Sequence, residues 1–277
     1  MNVISRLDQV EGVERMQRAF GRGAVSVHHA AGRVALKDLH QSGCLKLMMP
    51  RNHDPVPDVV AINTAGGVTA GDRLSLELTV GDQAQLRVAT QTAERFYRAS
   101  EAAAQPGQVE VTAHVGKGAT LHWLPQESIL FDGSWTRRRT SINLHSTSSF
   151  IGVESWVLGR VAMGEVLHKL DLSDTRTLNI DGRVRLHDRM WLSDAQRLGN
   201  AFAFGENKAV AVVWIAQDQA AERLEAARQF DPQAHFSVVN GVLVGRFASA
   251  EPRLLSVALA DWLTRFIGRE LPRVWTM

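Results

Sequence analysis

The sequence predicts a mainly β protein, a layered, β-helix-like body of short strands with two helices in the C-terminal third. Three observations predict it. Period-2 alternation of apolar and polar residues dominates from about residue 24 to residue 215, as expected of strands with one buried face. Glycine-rich turn signals punctuate that stretch without intervening helices, which argues for an antiparallel or stacked all-β body. One segment also repeats. Val80-Gly81-Asp-Gln-Ala84-Gln-Leu86, ending at Gln91, returns as Val115-Gly116-Lys-Gly-Ala119-Thr-Leu121, ending at Gln126. A shared core at a fixed offset implies two equivalent coils or hairpins stacked on each other.

In chain order, alternation predicts strands at Ala24–His28, Arg33–Leu36, Asp58–Ile62, Leu74–Val80, Leu86–Thr90, Val109–Val115, Ala119–Leu124 and Ala209–Ile215. Gly81-Asp82, Gly116-Lys117-Gly118, Asp181-Gly182 and Asn240-Gly241 read as short hairpin connections, because such pairs tolerate positive φ. Asp218–Phe230 reads as a short amphipathic helix with Ala220, Leu224, Ala227 and Phe230 inward. Glu251–Leu271 is the second helix, with Leu255, Ala258, Leu259, Trp262 and Phe266 on one face and stop signals at Gly268 and Pro272. Strands at Ser237–Val239 and Leu243–Phe247 form a hairpin between the two helices. No Pro/Ser-rich linker divides the chain, so residues 1–277 read as one domain, with the first 16 residues expected to be loosely held.

Composition excludes several functions. Lys+Arg 31 against Asp+Glu 29 leaves a formal charge of +2, no footprint for nucleic acid. The run Arg137-Arg138-Arg139 lies in an alternating segment and is expected to spread over two strand faces. A single cysteine, Cys44, excludes an internal disulfide and a cysteine-rich metal cluster; it reads as an inert buried thiol. The N-terminal residues carry no signal-peptide core, and no apolar run approaches the ~20 residues that span a bilayer. A soluble protein of a reducing compartment is expected.

The segment Asn63-Thr-Ala-Gly-Gly-Val-Thr-Ala-Gly-Asp72 places three glycines ahead of an acid at the mouth of a strand. It lacks the Gly-Lys-Ser/Thr ending and following helix of a phosphate loop. The histidines offer no His-x3-His spacing. His28 and His29 point to opposite strand faces, and His114 and His122 share the polar parity of a presumed hairpin, where a solvated face is the simpler reading. No Gly-x-Ser-x-Gly elbow is present. The acids are more informative: Asp72, Glu94, Glu127, Asp132, Glu154, Glu165 and Asp188 sit in apolar or glycine-rich surroundings. A buried carboxylate must be paired, hydrogen-bonded, metal-bound or facing internal water. Pairing with Arg95, Arg98, Arg138 or Arg160 is one expectation, and a polar interior passage is another. A β-helical carbohydrate-active enzyme using a carboxylate pair such as Asp132 and Glu154 is the rival reading.

Six motifs in order carry a resemblance over about Gln17 to Trp275. They are Asn63 to Asp72, Gln91-Thr-Ala-Glu-Arg-Phe-Tyr-Arg98, Trp123-Leu-Pro-Gln-Glu127, Ile129-Leu-Phe-Asp-Gly133, Val157-Leu-Gly-Arg160 with Met163-Gly-Glu165, and Leu271-Pro-Arg-Val-Trp275. Together they resemble the urease accessory protein family UreD, also called UreH. Two positions depart from it: Ala70, where many members carry glycine, and Glu94, where some carry a small polar residue. The resemblance implies a layered β body and a non-enzymatic, cytoplasmic scaffold. Such a scaffold docks on apo-urease subunits and works with UreF, and through it the GTPase UreG, to install nickel. It also implies that the accessory complex can dimerise; the apolar or mixed faces of the C-terminal helix and the strands near it are the expected surface for UreF. No tightly bound cofactor is implied, only transient Ni²⁺ in a water-filled tunnel. By motif position Asp72, Glu94 and Glu154 fall on tunnel-lining positions, and Asp188 on one in the weaker-matching His187-Asp188-Arg189 region. Scattered carboxylates suit such a route, because a conduit must bind its ion loosely enough to release it.

Overall fold

The computed structural model describes residues 18–51, 54–200, 203–231 and 233–276; the expected N-terminal tail lies outside them. The strands in chain order are β1 (Phe20–Ala30), β2 (Arg33–Gly43), β3 (Leu45–Met48), β4 (Asp58–Asn63), β5 (Arg73–Val80) and β6 (Gln85–Thr90). They continue as β7 (Glu94–Phe96), β8 (Gly107–Val115), β9 (Thr120–Trp123), β10 (Ser128–Leu130), β11 (Ser134–Leu144) and β12 (Ser149–Leu158). Next come β13 (Leu170–Ile180), β14 (Arg183–Leu192), β15 (Ala209–Ala216), helix α1 (Leu224–Phe230), β16 (His235–Val239), β17 (Val242–Ser249) and helix α2 (Pro252–Ile267).

They build two sheets. A seven-stranded sheet runs β14-β13-β11-β8-β5-β1-β2 and a ten-stranded sheet runs β16-β17-β15-β12-β9-β6-β4-β3, with β7 and β10 paired beside β12. The inner strands of the first sheet are parallel from β1 to β13, as are β4, β6, β9 and β12 in the second. The antiparallel alternative therefore survives only towards the sheet margins. The chain winds in coils: β5, β6, β7, then β8, β9, β10, then β11 and β12. The internal echo has this cause, for Val80 pairs with Val115 and Leu86 with Leu121.

Two turns expected to close hairpins do something else. Gly81 and Gly116 are corners that carry the chain from one sheet to the other, and each donates its amide to the neighbouring coil, Gly81 to Val27 at 2.9 Å and Gly116 to Val80 at 2.8 Å. The strands flanking each corner pair with their equivalents in the next coil instead of with each other. Asp181-Gly182 and Asn240-Gly241 do close hairpins, with φ of 48° and 74° and of 50° and 82°, the double positive φ that matches strand twist.

The main core fills the space between the sheets, with Leu78, Leu86, Leu121, Phe150 and Trp214 buried. On the other face of the ten-stranded sheet α2 docks through Leu255, Leu259, Trp262, Leu263 and Phe266 onto Ile151, Val153, Val213 and Ile215. Both faces of β12 are thus covered, which is why its sequence reads as a near-continuous apolar run. The second helix stops at Gly268, whose φ is +72°, as expected. The first begins at Leu224, later than expected, because Gln219 adopts φ +58° and breaks the helical run. Among the described residues no helix is long and apolar enough to cross a membrane.

Candidate functional site

The glycine-rich turn is held by its acid. Asp72 is buried, and its two oxygens accept the Ala19 and Thr69 amides at 2.8 Å each. Its carbonyl accepts Gln108 at 2.8 Å. Gly71 at φ +92° turns the chain into β5. Gly67 lets the turn press on β7: a Cβ there would meet the Tyr97 ring at 2.2 Å and the Arg95 carbonyl at 2.7 Å. Ala70 is buried without positive φ, so the departure from glycine leaves the turn intact. The same turn aims Asn63 at β7, where its amide nitrogen lies 3.1 and 3.2 Å from the two Glu94 oxygens. Among the described residues Asn63 is the one side chain that hydrogen-bonds Glu94, and the neighbouring Arg95 adds a weaker favourable pull on its charge. Burial pushes the Glu94 carboxyl up from 4.5 to about 7, against the opposing pull of Asn63.

Three cavities share wall residues with this region or with one another. The first, about 80 Å³, is lined by Asn63, Gly66, Thr90, Gln91, Glu94 and Arg95. The second, also about 80 Å³, lies between the sheets and includes Glu94, Trp123, Ser128, Arg138 and Glu154 in its wall. The third, about 680 Å³, is lined by Glu154, Arg176, Asp188, Phe204, His235 and Arg246. Glu94 belongs to the first two and Glu154 to the second and third. Asp72 lines none of the three. A separate cavity of about 260 Å³ lies beneath α2, beside Glu127, Ser155 and Trp275.

Glu154 sits where an ion network joins the sheets. One oxygen accepts Thr140 at 2.6 Å and the Trp123 indole at 3.1 Å; the other accepts Arg176 at 2.7 Å and lies 3.3 Å from Arg138. Asp174 accepts both nitrogens of Arg138 at 2.8 Å and the Trp156 indole at 2.7 Å, and also pairs with Arg176. Asp188 receives Arg176 at 3.0 Å and Arg246 at 2.6 Å. Burial alone would raise the Asp174 carboxyl, but the two guanidiniums hold it well below the carboxylate range. The Arg176 guanidinium is driven the other way: burial opposes its charge, and three surrounding carboxylates more than restore it. Three carboxylates and three guanidiniums balance, and every buried member is paired, the condition under which such a cluster can be tolerated.

The arginine run spreads as expected over two faces. Arg138 is buried while Arg137 and Arg139 face out, to Asp171 and Glu110. Arginine pairing also holds for Asp132 with Arg98 and Glu165 with Arg160. Asp132 is further occupied by the His168 and Lys169 amides at 2.7 and 2.9 Å. The pair named for a glycosidase thus has one acid tied into a loop and the other locked between sheets. His114 and His122 prove to lie on strands of different sheets, so they form no shared face. Burial and the nearby Arg87 and Arg269 push His122 down to about 4. No cluster of three His, Cys, Asp or Glu poised to hold a metal exists among the described residues. Cys44 is half-buried, with its thiol pushed up by burial.

Sequence reasoning missed Asp174 and Arg176. Their signal was parity: both share the inward register of Leu172 and Leu178 on β13.

Comparison with known proteins gives a consistent result. The profile of the family described as UreD urease accessory protein matches residues 19–276. A urease accessory protein UreD of Dinoroseobacter shibae is 42% identical over 269 residues, covering 95% of this chain and 94% of the relative. One from Paracoccus denitrificans is 40% identical over 275 residues, covering 94% and 93%, and one from a Chelativorans species is 34% identical over 268, covering 95% of each.

Proposed function

The chain belongs to the UreD urease accessory family, and from that premise we propose that it is a non-catalytic, cytoplasmic maturation factor that conveys nickel to apo-urease through its interior. In this reading it docks on the urease subunits and receives the ion in a complex with UreF and UreG. The observation that carries the reading is the series of three cavities in which the first two share Glu94 and the last two share Glu154, with Asp188 in the wall of the third. The donor chemistry supports it. Isolated carboxylates hold Ni²⁺ weakly, whereas clustered imidazole or thiolate would retain it, and a conduit needs the former. Nickel is cargo here, not a resident cofactor.

The test is co-expression with urease subunits and the partner accessory proteins, followed by metal analysis of the recovered urease. Glu94→Gln and Glu154→Gln should each lower the nickel content of urease while the accessory complex still co-purifies. Full nickel content in both variants would remove the interior route.

A further inference from the structure

We propose that Arg176 is the specificity-determining residue of the passage, barring a bare divalent cation from Glu154 in the free chain and admitting it only when its guanidinium swings outward to Asp188. This rests on the reading of the interior as an ion route.

The geometry makes Arg176 the obstacle. Glu154 is the junction between the second and third cavities, yet its oxygens are engaged by Thr140, Trp123 and Arg176. A cation reaching it would meet no free oxygen and would face the buried guanidiniums of Arg138 and Arg176 across a few ångströms of low dielectric, where like charges repel strongly. The six-residue cluster is already neutral, so a dication adds charge that nothing nearby compensates.

The geometry also supplies a way out. Arg176 and Asp188 both line the 680 Å³ cavity, so there is room on that side, and one Arg176 nitrogen already reaches Asp188 at 3.0 Å. An outward swing keeps that pair. Arg138 keeps Asp174 satisfied through two bonds of 2.8 Å. Only the Glu154 oxygen 2.7 Å from Arg176 loses its shorter partner, which leaves it with Arg138 at 3.3 Å, and it is the atom an arriving ion needs. Arg246 regulates the catch, because it occupies the other Asp188 oxygen at 2.6 Å while its side chain is 55% exposed.

Two of the seven tryptophans report on the lock. The Trp123 indole donates to Glu154 and the Trp156 indole to Asp174. The full chain labelled with 5-fluorotryptophan, its two signals assigned by Trp123→Phe and Trp156→Phe, is titrated with nickel chloride, since paramagnetic Ni²⁺ erases nearby fluorine resonances. In the unsubstituted chain both signals should keep their intensity. Arg176→Lys, which retains the charge but not the three-way fork, should lose most of the intensity of both. Arg246→Gln, at an exposed position, should lose part of it and decides the matter if the lysine variant does not fold. Loss of both signals in the unsubstituted chain overturns the bar, and retention in both folded variants overturns the role of Arg176. Failure of the passage itself reads out separately, as unchanged urease nickel in the Glu94→Gln and Glu154→Gln variants.

Discussion

Replacing Glu94 with glutamine isolates the energetic consequence of a desolvated carboxyl in the wall of two cavities. Glutamine keeps the size of the side chain and an oxygen for the Asn63 amide, which now lies 3.1 Å from one carboxylate oxygen, but it cannot ionise. Burial raises the carboxyl from 4.5 to about 7, so ionised Glu94 costs on the order of 3 kcal/mol of stability. The sign follows from the direction of the shift. Below pH 4.5 the carboxyl is protonated folded and unfolded, and no penalty exists. As pH rises the unfolded chain releases its proton first, so stability falls through the window between 4.5 and 7, and the full penalty persists above it. Glu94→Gln should therefore match the parent protein at pH 4.5 and exceed it by about 3 kcal/mol at pH 8, a rise of ~6 °C in Tm for a chain of this size. Thermal and urea unfolding followed by tryptophan fluorescence at both pH values measure it. A pH-independent difference, or a variant less stable at pH 8, would refute the claim that the burial of Glu94 outweighs the interactions that favour its charge.

Two further outcomes follow from the same structure. His122 is driven down to about 4, so its neutral form is preferred in the fold; stability is lost as pH falls from 6.5 through 4, by up to ~3 kcal/mol. His122→Gln should lack that acid limb, and a parallel decline in both proteins between pH 6.5 and 4 would exclude the assignment. Gly67→Ala should destabilise by ~3 kcal/mol or more, because its Cβ would sit 2.2 Å from the Tyr97 ring. Gly66→Ala, with φ +77° but open space around it, should cost only ~1 kcal/mol, and equal Tm losses in the two would contradict the packing explanation.

The layers were legible in the sequence because alternation reports which side chains face inward, and β5, β6, β8 and the helix starting at Pro252 depend on nothing else. What alternation does not report is the partner of a strand. Gly81 and Gly116 carry the same turn chemistry as Asp181-Gly182, yet the first two are corners and the last is a hairpin. The distinguishing signal was the repeat itself, since equal offsets mean that each strand pairs with its own copy. The site was legible in part. Glu94, Glu154 and Asp188 stand out as acids in apolar surroundings, and the cavities touch all three. The arginine lock was not, because Asp174 and Arg176 sit in a polar-looking alternation, and Arg176 meets Glu154 across 22 residues of chain. Asp72 looks like its fellow acids in sequence but spends both oxygens on backbone amides, a distinction only the folded turn creates.

The two junction acids are opposite in kind, and the contrast bears on direction. Glu94 is bonded by neutral Asn63, with Arg95 adding a weaker pull, and still carries a desolvation cost when ionised, so in the proposed route a cation arriving there would relieve an existing penalty. Glu154 has no such penalty to relieve, because Arg176, Thr140 and Trp123 already satisfy it. In the proposed route an ion would therefore gain at Glu94 and gain nothing at Glu154 until a guanidinium leaves. Two equally open acids would let the ion diffuse back as easily as forward. On the proposed route, one loose and one locked acid would instead make forward movement conditional on a change at Asp188, where the lock reaches the exposed Arg246. That is the point at which contact with another protein could release cargo only when a recipient is in place.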